Sequence, residues 1–328
     1  MNHRICWRAC LTIPWLLMVY GIFLFLSLNF NAAYAEETIS PSPPRSFAQL
    51  SGVFAGSAFK ITMESRFGSA ISSLTWRGKE FINSFDHGRE LQSAVSFNGW
   101  GECFNPTEAG SAADGTGGTT TSLITRWVVA KTSIMTTSRM AFWLAPGSTS
   151  IGCPHGMHAM NTSPVSDITL TKKVQIAPDG VLNAIDHTVT FHIPRAFRHA
   201  VFAALTAYIP PEFDHFWTFD PATDVLAPLS AGPGEQSLPI IFATPSGDFA
   251  FGVYSSELPQ ARWPHLGYGR FDFRSLTRRP GSANVKWNCV FRENDIKPGD
   301  YSFRCTSIFG TLKDVERAMV VLHSKRSR

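Results

Sequence analysis

Short segments that alternate apolar and polar residues, each closed by a turn signal, recur along most of this chain. That rhythm leaves little room for anything but antiparallel β-structure. Phe59–Ser65 is one such segment. Ala70–Trp76 and Lys79–Asn83 flank Arg77-Gly78, a hairpin signal. Leu91–Phe97, Ser122–Ala130 and Met140–Leu144 follow. Ile168–Ile176 and Val181–Ile193 flank Ala177-Pro178-Asp179-Gly180, and Leu238–Thr244 and Phe249–Tyr254 flank Pro245-Ser246-Gly247-Asp248. Both are strong turn sequences. A last pair, Asn284–Phe291 and Asp300–Phe309, encloses Glu293–Gly299. Helical periodicity is confined to Leu312–His323. The expected fold is all-β, a large antiparallel β-supersandwich with one short C-terminal helix.

Composition agrees. Hydrophobic residues make up 44% of the 328 positions and charged residues 16%, which supports a sizeable core. The formal charge of +4 is too mild and too dispersed for a nucleic-acid partner.

The first 35 residues read as an address. His3, Arg4 and Arg8 precede an apolar run from Leu11 to Phe30, and Ala33-Tyr34-Ala35 closes it before Glu36. A basic start, a greasy middle and an A-x-A end describe a secretory signal, with a retained membrane anchor as the rival reading. Removing the segment takes away Arg4 and Arg8 and no acid, so 27 basic residues then face 25 acids. Residues 36–58 read as a Pro/Ser linker and lead-in, and 59–328 as a single β-sandwich domain. The expected location is periplasmic or secreted, with membrane contact only through residues 1–35 if they are retained.

Export makes the cysteines informative. Cys103, Cys153, Cys289 and Cys305 remain after the signal, and four cysteines allow three pairings. Folding about Glu293–Gly299 brings Cys289 and Cys305 nearly opposite, which favours Cys289–Cys305 and leaves Cys103–Cys153. No C-x-x-C spacing occurs, so metal binding by four thiolates is the weaker reading.

Chemistry concentrates in two neighbouring stretches, Asp86–Gln92 and Gly101–Gly110. Together they hold an imidazole, a guanidinium, amides and several carboxylates. Sugar sites use such sets, with aromatic faces such as Trp100 or Phe104 beside the ring. Glu102 and Glu108 are candidates for an acid/base pair, with His187 a further catalytic candidate; Arg89, Gln92, Asn105, His155 and Lys286 are candidate substrate contacts. In Val181–Ile193 the odd-numbered residues share one face, which places His187 among apolar neighbours. It is either a core histidine bonded to a neighbour or a histidine on the floor of a concave sheet. Lys286 shares a face with Asn288 and lies opposite Trp287. A Cys103–Cys153 bond would tie His155 and His158 beside Glu102, Asn105 and Glu108. Tyr208–Trp217 is an aromatic-rich loop, either packed on the sandwich edge or walling a sugar. Asn161-Thr162-Ser163 fits a glycosylation acceptor. Ala109–Ser122 is small and polar but lacks the G-x-x-x-x-G-K-[ST] pattern, so a phosphate cradle is not expected. No cofactor and no metal is expected.

The run Gly68–Ile82, followed by Gly88-Arg89, resembles the opening of galactose-mutarotase-like sugar proteins. The hairpin Thr169–Ile193 is similar to the central strands of that superfamily. The resemblance implies a β-supersandwich and a carbohydrate ligand, in a group that spans epimerases, lyases, hydrolase domains and non-catalytic binders. The aldose epimerase pattern pairs two histidines with a late glutamate base. His187 takes the strand-histidine position, and neither Glu257 nor Glu293 matches the glutamate. Three functions follow: a carbohydrate-active lyase, epimerase or hydrolase; a non-catalytic periplasmic glycan-binding or scaffold protein; and, third, a metal-dependent hydrolase built on His155, His158 and an acid.

Overall fold

A computed structural model describes residues 46–275 and 279–326. Residues 1–35, read as a signal, and 36–45 of the linker and lead-in lie outside the described residues. In chain order the strands are β1 Phe47–Phe54, β2 Ser57–Glu64, β3 Ile71–Trp76, β4 Lys79–Glu80, β5 Leu91–Phe97, β6 Pro106–Thr107, β7 Leu123–Val129, β8 Ser133–Phe142, β9 Val165–Ile176 and β10 Ala184–Ile193. Then come β11 Phe197–Ile209, β12 His215–Asp220, β13 Val225–Pro228, β14 Gly234–Gln236, β15 Ile240–Ala243, β16 Ala250–Tyr254, β17 Tyr268–Asp272, β18 Val285–Ile296 and β19 Gly299–Gly310. Helix α1 spans Leu312–Arg326.

All pairing is antiparallel and falls into two layers. One runs β7-β8-β9-β10-β19-β16-β15-β12-β13. The other runs β1-β2-β3-β5-β11-β18-β17-β14, with β4 beside β3. Short β6 pairs with both β5 and β8, so the ladder is continuous and folds over on itself. This is the large antiparallel supersandwich expected from the alternation.

Aromatic pairs fill the space between the layers. Phe251 of β16 meets Trp287 of β18 at 5.0 Å, and Phe202 of β11 meets Phe303 of β19 at 4.9 Å. Each fully buried side chain of this size contributes on the order of 1.5–3 kcal/mol by leaving water. The inward face is as read, with Ile185, His187, Val189, Phe191 and Ile193 of β10 all fully buried; on the other face Thr188 and His192 are exposed, but Ala184 and Asp186 are buried too.

Turn chemistry holds too. Arg77 (φ 50°) and Gly78 (φ 76°) are both left-handed, the pattern of the two-residue turn that suits the twist of a hairpin. Beyond the last strand, α1 sits on the outer face of the first layer. Val315, Ala318, Met319 and Leu322 recur at helical spacing and pack on Ile241, Ala243, Ala250 and Ile308. Thr311 and Asp314 cap its start reciprocally, the Asp314 N–H reaching Thr311 Oγ1 at 3.2 Å and the Thr311 N–H reaching Asp314 Oδ2 at 3.1 Å.

Three features differ from the expectation. β1 lies inside the stretch read as linker and lead-in, because Ala48 and Leu50 alternate inward and the strand pairs with β2 along its length. β11 is the longest strand and was not anticipated. Its buried run Ala204–Ala207 carries no alternation, since both faces of a central strand are covered. It ends at Ile209, and β12 begins at His215, so the aromatic stretch 208–217 is two strand ends around the loop 210–214.

The third difference concerns Cys289 and Cys305. β18 and β19 are not paired with each other. β18 bonds to β11 and β17, and β19 bonds to β10 and β16. The chain reaches Ile296 in one layer, turns a corner at Lys297-Pro298, and starts the facing layer at Gly299. The parallel corner 194–196 carries β10 into β11. The Cys289–Cys305 bond, with Cα atoms 6.5 Å apart, therefore staples layer to layer rather than closing a hairpin. Cys103–Cys153 is also formed, with Cα atoms 5.1 Å apart.

Candidate functional site

The polar stretch before β5 builds one wall of a cleft of about 310 Å³. Asp86, His87, Gly88 and Arg89 line it from the loop. Trp143 lines it from the end of β8, Tyr208 from the end of β11, and Phe273 and Asn284 flank β17 and β18.

The loop is held tightly. The His87 backbone N–H donates to Gly115 O at 2.8 Å, and its ring nitrogens face Gly115 O at 2.9 Å and Arg66 O at 2.6 Å. Gly88 adopts φ 91°, and a Cβ there would meet the Trp143 ring at 2.5 Å, so only glycine lets the indole lie against the loop. The Gly88 N–H donates to Glu90, whose carboxyl burial pushes well above the ordinary range.

Arg89 Nε lies 2.7 Å from Asp86 Oδ1, and Arg89 Nη1 donates to Ser282 O. Burial pushes the Asp86 carboxyl up, while Arg89, Arg279 and His87 pull it back. Asn284 donates to Ser282 O at 2.8 Å, and its buried Oδ1 has no hydrogen-bond partner among the described residues. The Tyr208 and Phe273 rings are stacked with centroids 6.3 Å apart. Lys286 Nζ lies 4.9 Å from the Tyr208 ring centre and 5.1 Å from that of Phe271. The cleft thus joins a carboxyl, a guanidinium, an amide and aromatic walls. It can accept or hold a proton at Asp86, place positive charge beside it, and cover the apolar face of a ring.

The residues singled out from sequence do not converge on one surface. Arg89 lines the cleft and Lys286 stands at its aromatic wall. Gln92 is buried behind it, donating to Gly88 O at 2.7 Å and accepting from the Ala109 N–H at 3.0 Å, so it shapes the loop. Asn105 is half-buried at the end of a short 3-10 turn, and its carbonyl accepts from the Trp143 N–H at 2.9 Å. Glu102 accepts a 2.5 Å bond from Ser150 Oγ, and its backbone N–H donates to Gly152 O. The Cys103–Cys153 bond therefore ties Glu102 to the 150–153 loop. His155 and His158 lie exposed farther along it, His158 Nδ1 facing Gly147 O at 3.0 Å. No group of three or more potential metal ligands occurs among the described residues.

Glu108 and His187 belong to the interior. Lys172, on β9 between inward-facing Leu170 and Val174, places Nζ 2.5 and 2.6 Å from the two Glu108 oxygens. The Ser93 N–H donates to the same carboxylate at 2.9 Å. Burial pushes the Glu108 carboxyl up against the pull of Lys172. His187 Nε2 lies 2.9 Å from Ser307 Oγ, which matches the reading of a core histidine bonded to a neighbour. Burial holds its imidazole well below the ordinary range, and the Lys172 charge acts in the same direction. Asn161 is 6% exposed, and its amide nitrogen donates to Leu144 O and Ser163 O, so both amide hydrogens of the acceptor pattern are engaged.

Asp86, Trp143, Tyr208, Phe273 and Asn284 were not singled out as site residues. Asp86 sat in the polar stretch and Tyr208 in the aromatic one. Trp143, Phe273 and Asn284 follow or precede strands and carry no local signal.

No protein-family model and no curated protein matches the sequence. Among solved structures, the chain is similar to a galactose mutarotase related enzyme from Lactobacillus acidophilus. The identity is 10% and the TM-score 0.43, covering 81% of this chain and 98% of that one. It is also similar to a 4-alpha-glucanotransferase from Thermococcus litoralis, at 9% identity and TM-score 0.43, covering 83% of this chain and 40% of that one. An alpha-galactosidase from Lactobacillus brevis gives 8% identity and TM-score 0.42, with 84% and 42% coverage.

Proposed function

We propose that this chain is an exported carbohydrate-active or carbohydrate-binding protein whose sugar occupies the Asp86–Arg89 cleft. The observation that carries the reading is the ion pair of Asp86 and Arg89 at 2.7 Å in a cleft walled by Trp143 and Tyr208. Aromatic faces cover the C–H faces of a pyranose, and the carboxyl, amide and guanidinium meet its hydroxyls. In a catalytic version, Asp86 moves a proton and Arg89, with Lys286 nearby, stabilises developing negative charge. The reaction class is then lyase, epimerase or hydrolase. Glu102, Glu108 and His187 serve the framework that holds these groups in place. Residues 1–35, read as a signal, and two disulfides support an oxidising compartment outside the cytoplasm.

One observation favours the non-catalytic version, a periplasmic glycan-binding or scaffold protein. Asp86 is the single carboxylate among the lining residues, whereas glycoside hydrolysis ordinarily uses two. A screen of diverse polysaccharides for reducing-sugar and unsaturated products, with binding measured in parallel, separates the two. Product that disappears in Asp86→Asn supports the enzyme. Binding without product, lost in Tyr208→Ala, supports the binder. Neither binding nor product from any glycan would overturn both.

A further inference from the structure

A second cleft, of about 600 Å³, opens where the β10–β11 corner meets the end of β8 and shares no lining residue with the first. Its apolar wall is built from Phe104, Phe142 and Phe197. Phe104 meets Phe142 at 4.8 Å and Phe197 at 5.9 Å. Two guanidinium groups stand on its lining, those of Arg139 and Arg195. Arg195 lies 5.4 Å from the Phe104 ring centre and 5.5 Å from that of Phe197. The guanidinium thus lies beside two aromatic rings and stays about half exposed to a ligand. Its carboxylate partner is Asp167, at 3.8 Å with both side chains about half exposed, a pairing worth little in water. Arg139 donates through Nε and Nη2 to Ser166 O, at 3.3 and 3.1 Å, and Nη1 has no protein acceptor among the described residues. The lining therefore carries two positive charges against one negative, beside an apolar face.

We propose that this cleft binds an acidic sugar residue, its carboxylate or sulfate held by Arg139 and Arg195 and its ring laid on the phenylalanine wall. A planar guanidinium edge matches the paired oxygens of such a group. The ring half of the assignment rests on the carbohydrate reading above; the anion half does not.

Calorimetric titration of the full chain tests it with two probe pairs: a galacturonate trisaccharide and its methyl ester, and a sulfated disaccharide and its desulfated form. The charged member of at least one pair binds about tenfold or more tightly than its neutral counterpart. Raising the salt concentration weakens that binding. Arg195→Ala and Arg139→Gln each remove the preference while leaving the thermal midpoint within a few degrees. No preference for either charged probe, or a preference that survives both substitutions, overturns the assignment. Loss of the preference in Tyr208→Ala, with both arginine variants unaffected, moves the anion to the first cleft and also overturns it. If the charged probes bind through Arg139 and Arg195 while no glycan engages the first cleft, the anion site stands and the reading of the first cleft fails.

Discussion

Lys172 Nζ lies within 2.6 Å of both carboxylate oxygens of Glu108, and neither side chain reaches solvent. The pair joins strand β9 to the segment after β6, and the Ser93 N–H adds a third contact from the facing layer. Two charges removed from water cost several kcal/mol each, and mutual attraction repays this only while both are present.

Removing one partner should therefore be far worse than removing both. Lys172→Met should destabilise the fold by about 3–5 kcal/mol, because it leaves a buried carboxyl without its counter-charge. The double change Glu108→Leu with Lys172→Met should recover most of that loss. Urea unfolding of the single and the double variant measures it; a single-variant cost below about 1 kcal/mol would contradict the pairing.

His187 sets an acid-side dependence. Its folded pKa is held below the ordinary histidine value of about 6.5. Between those values the unfolded chain binds the extra proton and the folded chain does not, so stability falls as pH drops below about 6.5. The slope for this one group approaches about 1.4 kcal/mol per pH unit. His187→Gln keeps a polar group for Ser307 and removes the titration. Unfolding midpoints from pH 7.5 to pH 5 should fall less steeply in the variant; parallel curves would exclude His187 as a contributor.

The layer-to-layer disulfide closes a loop of 16 residues in sequence. The chain-entropy account gives about 3 kcal/mol for a loop of this length. Replacing Cys289 and Cys305 together by alanine should cost about that much. Both sulfurs sit at fully buried positions, so a reductant and an alkylating agent should label them only after unfolding. Intact-mass measurement checks this, and rapid labelling of Cys289 in the folded protein would contradict the burial.

Export has its own check. The chain recovered from outside the cytoplasm should begin at Glu36, since Ala33 and Ala35 occupy the positions a signal peptidase reads. Terminal sequencing that returned Met1 would favour the anchored form.

Strand rhythm, turn chemistry and the terminal helix were legible because each is a property of a few consecutive residues. The inward face of β10 followed from alternation alone, and Arg77-Gly78 announced its turn through the backbone conformations it tolerates. The two cysteine pairs also came out as read, since four cysteines leave few choices, although the hairpin that suggested Cys289–Cys305 does not form.

What the sequence could not express is which strand lies beside which. Cys289 and Cys305 read as neighbours across a hairpin, yet a corner at Lys297-Pro298 sends their strands into facing layers. Lys172 sits at an inward position of an alternating strand, a visible anomaly, but its partner is 64 residues away. Arg89 could be picked from its polar stretch, whereas Trp143, Tyr208 and Asn284 reach the same cleft from the ends of three separate strands. Local patterns record the conformation and the buried face of a segment. The pairing of distant segments is settled by the closing of the two layers, which brings buried groups such as Lys172 and Glu108 to one another, and only the tertiary structure decides it.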